Sequence, residues 1–346
     1  MNTMIVGFCV LLSAPLCAMK QEATRPIISS RAAIEQYVDV ELNGLKQKLL
    51  IQTNDLKNPI LLWLHGGPGI SEMLINHHCM NRLYYHFTIV HWDQRGTAMS
   101  YRDDLKAADI TFTKTLDDAL LLTKWLKRTY GQEKVFIIGH SFGSVLGMNL
   151  IKDHPEHYRA FIGMGQVIDD AKSQAIVRKW LAHKLKDDHD MIALKKLIKS
   201  GNIPKELVRK YQGIFYGSKS MMEVVRESPL YRDGYEELHG KSMHFVFKAM
   251  GPNPHMMGTP IFQGIRKVEV PIYFFEGRHD RIFACAPEAV VEYLPFLKAP
   301  HKEIVWFEKS AHHPNIDEPE KFQRMLIEKV WQENHPGAGI SQKHLP

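Results

Sequence analysis

The sequence predicts an α/β fold in which a mostly parallel, doubly wound sheet is covered by helices and interrupted by an inserted helical section. Three observations predict it: near-continuous apolar runs of strand length, helical apolar spacing between them, and a middle stretch without such runs. Strands buried on both faces have continuous apolar runs because helices cover both sides of a parallel sheet. Their alternation with helices is typical of doubly wound folds.

The chain enters this sheet through a hairpin. Apolar and polar residues alternate from Ile34 to Leu42, and a second extended run covers Lys46 to Thr53. Asn43 and Gly44 separate the two runs, and this dipeptide is a strong signal for a tight hairpin turn. The alternation indicates that one face of the hairpin is solvated.

Buried strands and helices then alternate. The apolar runs that predict buried strands are Ile60–Leu64, Phe87–Trp92, Val135–Ile138, Tyr158–Met164, Val270–Phe275 and Ile304–Phe307. Helical spacing predicts one helix over Leu116–Leu126 with Gly131 just past its end, a second up to about Lys152, and a last one from Pro319.

Between about Gln166 and Phe262 the pattern changes to amphipathic helical stretches such as Ile176–Leu185 and Met191–Ile198. This section closes in a linker, Gly251–Pro260, that is rich in helix breakers. We interpret it as a helical cap inserted into the core. The predicted organisation is an N-terminal core half (19–165), the cap (166–262), a C-terminal core half (263–335) and a tail (336–346).

Residues 1–18 predict a signal peptide. Met4 to Ala18 is apolar but too short to span a bilayer as a helix, and charged and polar residues follow from Lys20. The segment lacks Lys and Arg before its apolar run, and Leu16 departs from the small residue of a usual cleavage site. An uncleaved anchor and a buried N-terminal strand are the alternatives. We expect export to the periplasm or the medium, without stable membrane insertion after signal removal.

Composition and charge limit the classes of partner and cofactor that we expect. The 346 residues carry a net charge of +6 that is spread along the chain, with no Lys/Arg block among aromatics, so nucleic acid is not an expected partner. Removal of a signal peptide would leave Cys79 and Cys285 as the cysteines of the mature chain, and whether they pair stays open. Metal-ligand spacing and a phosphate-binding glycine loop are both missing, so neither a metal nor a cofactor is expected.

A candidate nucleophile follows the strand Val135–Ile138 in the stretch Gly139-His-Ser-Phe-Gly143. Between a buried strand and a helix, G-x-S-x-G permits a strained turn that exposes the serine hydroxyl above the sheet edge. The helix N-terminus adds partial positive charge for a developing oxyanion. A strand-to-helix turn with a capping serine is the alternative. We predict Ser141 as the nucleophile.

A serine nucleophile needs a base, and the base needs an orienting acid; this fold supplies them in the order Ser, acid, His. Asp280 follows one late strand and His312 follows the next, so both fall at strand C-terminal ends. We predict Asp280 as the acid and His312 as the base. The rivals are Glu276 for the acid and the adjacent His313 for the base, while His279 fits a surface histidine.

Acyl transfer also needs two N–H donors for the oxyanion. In this fold one comes from the residue after the nucleophile, here Phe142, and the other from the loop after an early strand. That loop is His65-Gly-Gly-Pro-Gly69, and Gly67 is the predicted donor because its missing side chain lets the substrate approach.

These motifs together resemble the proline iminopeptidase group of α/β hydrolases. The motifs are HGGPG at 65–69, WDQRG at 92–96, GHSFG at 139–143, GRHD at 277–280 and SAHHP at 310–314. The resemblance implies the α/β-hydrolase fold, the triad and oxyanion roles given above, and mainly structural roles for Asp93 and Arg95. It also implies an aminopeptidase that releases N-terminal proline from short peptides.

Two departures leave the substrate open. The chain reads Thr97-Ala-Met-Ser100 after WDQRG, where the group has another glycine, and the cap lacks the group's tryptophan–glutamate pattern. An esterase or lactonase acting on small acyl substrates is therefore the alternative, and a non-catalytic binding protein is the second alternative. The cap acids that could hold a substrate amine are Glu223, Glu227, Asp233, Glu236 and Glu237.

Overall fold

The structure, a computed structural model, describes residues 32–76, 79–217, 220–251 and 261–334. The predicted signal peptide (1–18) and tail (336–346) lie outside the described residues, as does all of the linker after Gly251. Signal peptide and export therefore stay predictions. Among the residues that the structure covers, none of the helices combines the length and the apolar character that a membrane crossing requires.

Eight strands form one sheet. They are β1 (Ile34–Leu42), β2 (Leu45–Thr53), β3 (Ile60–Leu64), β4 (Thr88–Asp93), β5 (Val135–His140), β6 (Tyr158–Met164), β7 (Ile272–Gly277) and β8 (Lys302–Phe307). Their order in the sheet is β1-β2-β4-β3-β5-β6-β7-β8. β2 pairs antiparallel with β1 and β4, and every other neighbouring pair is parallel. The predicted mostly parallel sheet is confirmed.

The helices of the described residues follow the predicted alternation. They are α1 (Phe112–Tyr130), α2 (Phe142–Asp153), α3 (Asp170–Asp187), α4 (Met191–Ser200), α5 (Lys205–Lys210), α6 (Met221–Glu227), α7 (Tyr235–Met250), α8 (Ile261–Gly264), α9 (Pro287–Tyr293), α10 (Pro314–Asp317) and α11 (Pro319–Met325), which continues as π-helix over Leu326–Trp331. Short 3-10 helices cover Leu83–Tyr85, Ala98–Ser100, Ala107–Asp109, Pro155–His157 and Leu294–Phe296.

The central strands are apolar throughout because both faces of the sheet are covered. Along β3, Leu62 and Leu64 belong to one apolar cluster, whereas Leu61 and Trp63 belong to another on the opposite face. The whole of β3 is buried. At the hairpin between β1 and β2, Asn43 and Gly44 take φ of 46° and 74°, the positive values that a type I′ turn needs.

The two cysteines that the sequence left open as a pair are free thiols, both buried. Cys79 belongs to the cluster that contains Trp63, and Cys285 to the cluster on the other face of the sheet. The sheet therefore separates the two sulfur atoms, and a disulfide between them is excluded by geometry.

Helices α3 to α7 come between β6 and β7 in the chain, and the described residues of this section contain no strand. Helix α7 lies directly on the loop after β3. A Cβ on Gly69 would lie 2.8 Å from the Cβ of Val246, and Ser242 Oγ accepts a hydrogen bond from the Ala98 N–H at 2.9 Å. This contact places α7 over the C-terminal edge of the sheet.

Candidate active site

Ser141 lies in a strained turn between β5 and α2. Its φ of 51° and ψ of −116° fall outside the conformations that side-chain-bearing residues usually adopt. A Cβ on Gly139 would overlap the Gly143 carbonyl, and one on Gly143 would overlap the Leu64 carbonyl. Both glycines of the motif are thus required by close backbone packing, which holds Ser141 at the end of β5.

Asp280 and His312 meet at the same edge of the sheet. Asp280 follows β7 and is fully buried, and its Oδ2 lies 2.7 Å from His312 Nδ1. Asp280 Oδ1 accepts the Ile282 N–H at 2.9 Å, which fixes the carboxylate plane. In the loop after β6, a Cβ on Gly165 would lie 2.8 Å from His312 Nδ1. A glycine there lets this loop close over the acid–base pair.

The Ser141 hydroxyl faces a thiol in this structure. Its Oγ lies 3.7 Å from Cys285 Sγ, and within the described ranges it makes no hydrogen bond to His312. Catalytic hydrogen bonds of this kind are commonly long in substrate-free proteins and shorten when the substrate binds. The arrangement therefore brings the predicted nucleophile and the predicted base to one edge of the sheet, without a hydrogen bond between them.

Of the two predicted oxyanion donors, Phe142 directly follows Ser141 and Gly67 lies in the loop after β3. Phe142 is the first residue of α2, so its N–H has no acceptor within the helix. Gly67 has φ of 115°, and a Cβ there would lie 2.8 Å from the Ile70 nitrogen, so this position needs glycine. The neighbouring Gly66 lies against the nucleophile, because a Cβ on it would be 3.2 Å from Ser141 Cβ.

A family model described as "Serine aminopeptidase, S33" matches residues 57–319, which include the whole of this site. The chain belongs to this serine aminopeptidase family. It is 26% identical over 328 residues to a protein of Bacillus subtilis (strain 168) named "Probable aminopeptidase YbaC", covering 87% of this chain and 98% of that protein.

Two proline iminopeptidases are also similar to this member of the serine aminopeptidase family. That of Saccharolobus solfataricus is 24% identical over 291 residues, covering 79% of this chain and 85% of its own. The crystal structure of that of Mycobacterium smegmatis has a TM-score of 0.64 at 17% identity, covering 87% of this chain and 98% of its own. The α/β-hydrolase fold and the resemblance drawn from the motifs are confirmed.

In this serine aminopeptidase family member, the rivals of the predicted acid and base make other contacts. Glu276 Oε1 accepts the Gln166 N–H at 3.1 Å, and burial together with Asp280 raises the pKa of Glu276 well above its ordinary value. His313 stacks on Phe215 with ring centroids 4.5 Å apart. Burial, then His140 and His312, lower the pKa of His313 well below its ordinary value. Both rivals are buried neighbours of the pair rather than members of it.

The charged residues of the DQRG stretch make hydrogen bonds that stabilise the fold. Arg95 donates from Nε and Nη2 to the two carboxylate oxygens of Asp118 on α1, at 2.7 and 2.9 Å. Asp93 accepts the Met99 N–H at 3.0 Å, and burial raises the pKa of Asp93 to about 7. These contacts hold the loop after β4 against α1.

The cap acids considered for a substrate amine lie elsewhere. Glu236 accepts two hydrogen bonds from Arg226, and Glu223 closes a capping box with Ser220 at the start of α6. The remaining three are exposed on the cap surface, namely Glu227, Asp233 and Glu237. No carboxylate of this set touches the triad in the described residues.

Sequence reasoning missed a strap over the triad, which we define as residues 213–216. Its Gly213 carbonyl accepts the Arg281 N–H at 2.8 Å, and its Ile214 carbonyl accepts the His312 N–H at 3.0 Å. Asp317 Oδ2 accepts the N–H groups of Tyr216 and Ala311 and so joins the strap to the loop that carries His312. Backbone contacts of this kind leave no residue-type signal in the sequence.

Proposed function

We propose that the protein is a serine hydrolase in which Ser141 is the nucleophile, His312 the base and Asp280 the orienting acid. The observation that carries the proposal is the 2.7 Å contact between Asp280 and His312 at the sheet edge where the strained Ser141 also lies. A buried carboxylate at Nδ1 holds the imidazole with Nε2 available for the serine proton.

The chemistry follows from these positions. Ser141 Oγ attacks the substrate carbonyl while His312 Nε2 takes its proton, and the N–H groups of Gly67 and Phe142 bind the resulting oxyanion. His312 then gives the proton to the leaving amine, which leaves an acyl-enzyme on Ser141. Water, deprotonated by His312, attacks the acyl-enzyme; on collapse of the second oxyanion His312 returns that proton to Ser141.

The substrate that this site supports best is a short peptide with a free N-terminus, with proline as the residue released. Two relatives that are similar to most of this chain are named as an aminopeptidase and a proline iminopeptidase. Helix α7 of the cap packs on the loop after β3, and the strap bonds to the His312 main chain; we infer that these elements favour short chains. A free amine is a cation at neutral pH and calls for a carboxylate near the nucleophile.

Asp170 is our candidate for that carboxylate. It opens α3, is half-buried, and accepts a hydrogen bond from Gln174 Nε2 at 2.9 Å. Within residues 32–76, 79–217, 220–251 and 261–334 no cation pairs with it. Burial first, and then neighbouring carboxylates that include Asp170, raise the pKa of the Cys285 thiol well above its ordinary value. Among these carboxylates Asp170 acts more weakly than Asp280 and Glu276, and it is the one that the cap supplies.

A free amine on the substrate is expected to be essential. Acetylating the amine of a proline arylamide should lower kcat/KM by roughly ten-thousandfold, because a site built around a charged amine is left with an unpaired carboxylate. The measurement is arylamine release from the free and the acetylated compound, with an acetate ester beside them. Equal rates on both arylamides would contradict the aminopeptidase proposal, and ester cleavage alone would assign the site to an esterase.

Asp170→Asn is expected to lower kcat/KM for the free proline arylamide by roughly tenfold to a hundredfold, mainly through KM, as loss of a hydrogen bond to a charged group does. Because the ester carries no amine, its hydrolysis is the matched control and should change little. A parallel loss on both substrates would show that Asp170 supports the fold rather than the substrate.

A further inference from the structure

Glu72 is a buried carboxylate in the loop after β3, and within the described residues its oxygen atoms contact two N–H donors and one imidazole nitrogen. Its Oε2 accepts the Trp63 Nε1–H at 2.6 Å, and its Oε1 accepts the Gly66 N–H at 3.1 Å. The same Oε1 lies 2.5 Å from His140 Nδ1. Only 3% of Glu72 is exposed, so its negative charge is neutralised within the protein.

His140, which precedes the nucleophile, continues this network to the base. Its Nε2 lies 3.0 Å from the main-chain carbonyl oxygen of His312. With Glu72 ionised, both ring nitrogens of His140 face oxygen atoms that only accept, so both carry protons and the ring is an imidazolium. Glu72 supplies the counter-charge, and the two residues form a buried ion pair.

The surroundings of His140 agree with this assignment. Burial opposes its charge, but Glu72, the His312 carbonyl and Asp280 together outweigh burial and raise the pKa of His140 above its ordinary value. The same pairing overcomes the burial of Glu72 and lowers its pKa to about 2. The other titratable groups that face His140 are His65 after β3, Asp280 after β7, and His312 and His313 after β8.

We propose that Glu72 and His140 are positioning residues, a buried pair that holds the His312 main chain and the Gly66 amide in register with the nucleophile. The pair connects three segments that are far apart in the chain, the loop after β3, the end of β5 and the loop after β8: Glu72 and His140 are separated by 68 residues, and His140 and His312 by 172. It rests on the proposed role of His312 as the base.

The pair completes the support of His312. The strap holds the His312 N–H through the Ile214 carbonyl, and Asp280 holds the ring through Nδ1. His140 holds the carbonyl of the same residue, on the other side of its Cα. Without this contact, of these two main-chain hydrogen bonds His312 keeps only the one to Ile214, and the position of its imidazole is less restrained.

Two substitutions of His140 by amide residues distinguish a role in positioning His312 from a role in folding. The side-chain nitrogen of His140→Gln can take the place of Nε2 and still donate to the His312 carbonyl, whereas that of His140→Asn can take the place of Nδ1 and donate to Glu72 alone. We expect His140→Asn to lower kcat about a hundredfold with little change in KM, since small misplacements of catalytic groups have effects of this size. His140→Gln should keep kcat within about tenfold.

We expect the stability of the two His140 variants to follow the opposite order to their activity. His140→Gln leaves Glu72 buried without its partner, so its Tm should be the lower of the two. If His140→Gln does not fold, Glu72→Gln/His140→Gln removes the unpaired charge and takes its place in the comparison. An activity order that follows the Tm order, with His140→Asn the more active variant, would overturn the proposal.

A spectroscopic measurement keeps this inference separate from the proposed function. In Ser141→Ala protein at pH 8, imidazole ¹H–¹⁵N spectra should show both ring protons of His140, assigned by their loss in the His140 variants. A single ring proton at that pH would overturn the ion pair whatever the enzyme hydrolyses. If both protons are present but wild-type Ser141 fails to react with a fluorophosphonate, the pair stands and the hydrolase proposal falls.

Discussion

Ser141→Ala is expected to lower kcat for the free proline arylamide by about a million-fold, as removal of a triad serine does in other serine hydrolases. The hydroxyl is the only group of the proposed mechanism that forms the acyl-enzyme, and no neighbouring side chain replaces it. Cys285 lies 3.7 Å away, but its raised pKa keeps the thiol protonated and poorly nucleophilic.

The measurement is arylamine release, together with labelling of the folded protein by a fluorophosphonate probe. Ser173→Ala is the matched control, because Ser173 is a buried serine on α3 with no assigned role. It should keep both activity and labelling. Turnover near the wild-type rate in Ser141→Ala protein would show that another group is the nucleophile.

His312→Ala is expected to cause a loss of similar size, about a million-fold in kcat, because the serine then has no base. His313→Ala is the matched control one residue away. His313 stacks on Phe215 and its lowered pKa keeps it neutral, so its loss should reduce stability by about 1–3 kcal/mol and leave most of kcat.

Arylamine release and thermal unfolding of both histidine variants check this pair of expectations. The opposite result, full loss in His313→Ala with turnover retained in His312→Ala, would move the base to His313. It would also remove the basis of the positioning role of His140, which acts on the main chain of His312.

Much of the fold was predictable from local patterns. The β3 stretch ILLWL is apolar at every position because both faces of the sheet are covered, and helix α1 ends at Gly131, which takes the left-handed conformation with φ of 64°. The order of the strands in the sheet was not predictable, since β4 lies between β2 and β3 and this depends on packing between distant segments.

The candidate site also has residues that could be predicted from the sequence and contacts that could not. Ser141, with its two glycines, was predictable because the elbow is built from five consecutive residues and its requirements are steric. Asp280 was ranked above Glu276 from the sequence by its position after the strand alone, as both stand near the end of β7. Their difference is a hydrogen-bond partner: Gln166 for one and His312 for the other.

By itself, then, the sequence determined a mostly parallel sheet covered by helices, and it predicted an inserted helical cap and a Ser–Asp–His order along the chain, because each depends on short-range periodicity or on steric limits within a few residues. Only the tertiary structure decided that Cys79 and Cys285 stay apart, and that Glu72 and His140 pair beneath the site. These outcomes depend on hydrogen bonds and burial between segments far apart in the chain, which no local pattern encodes.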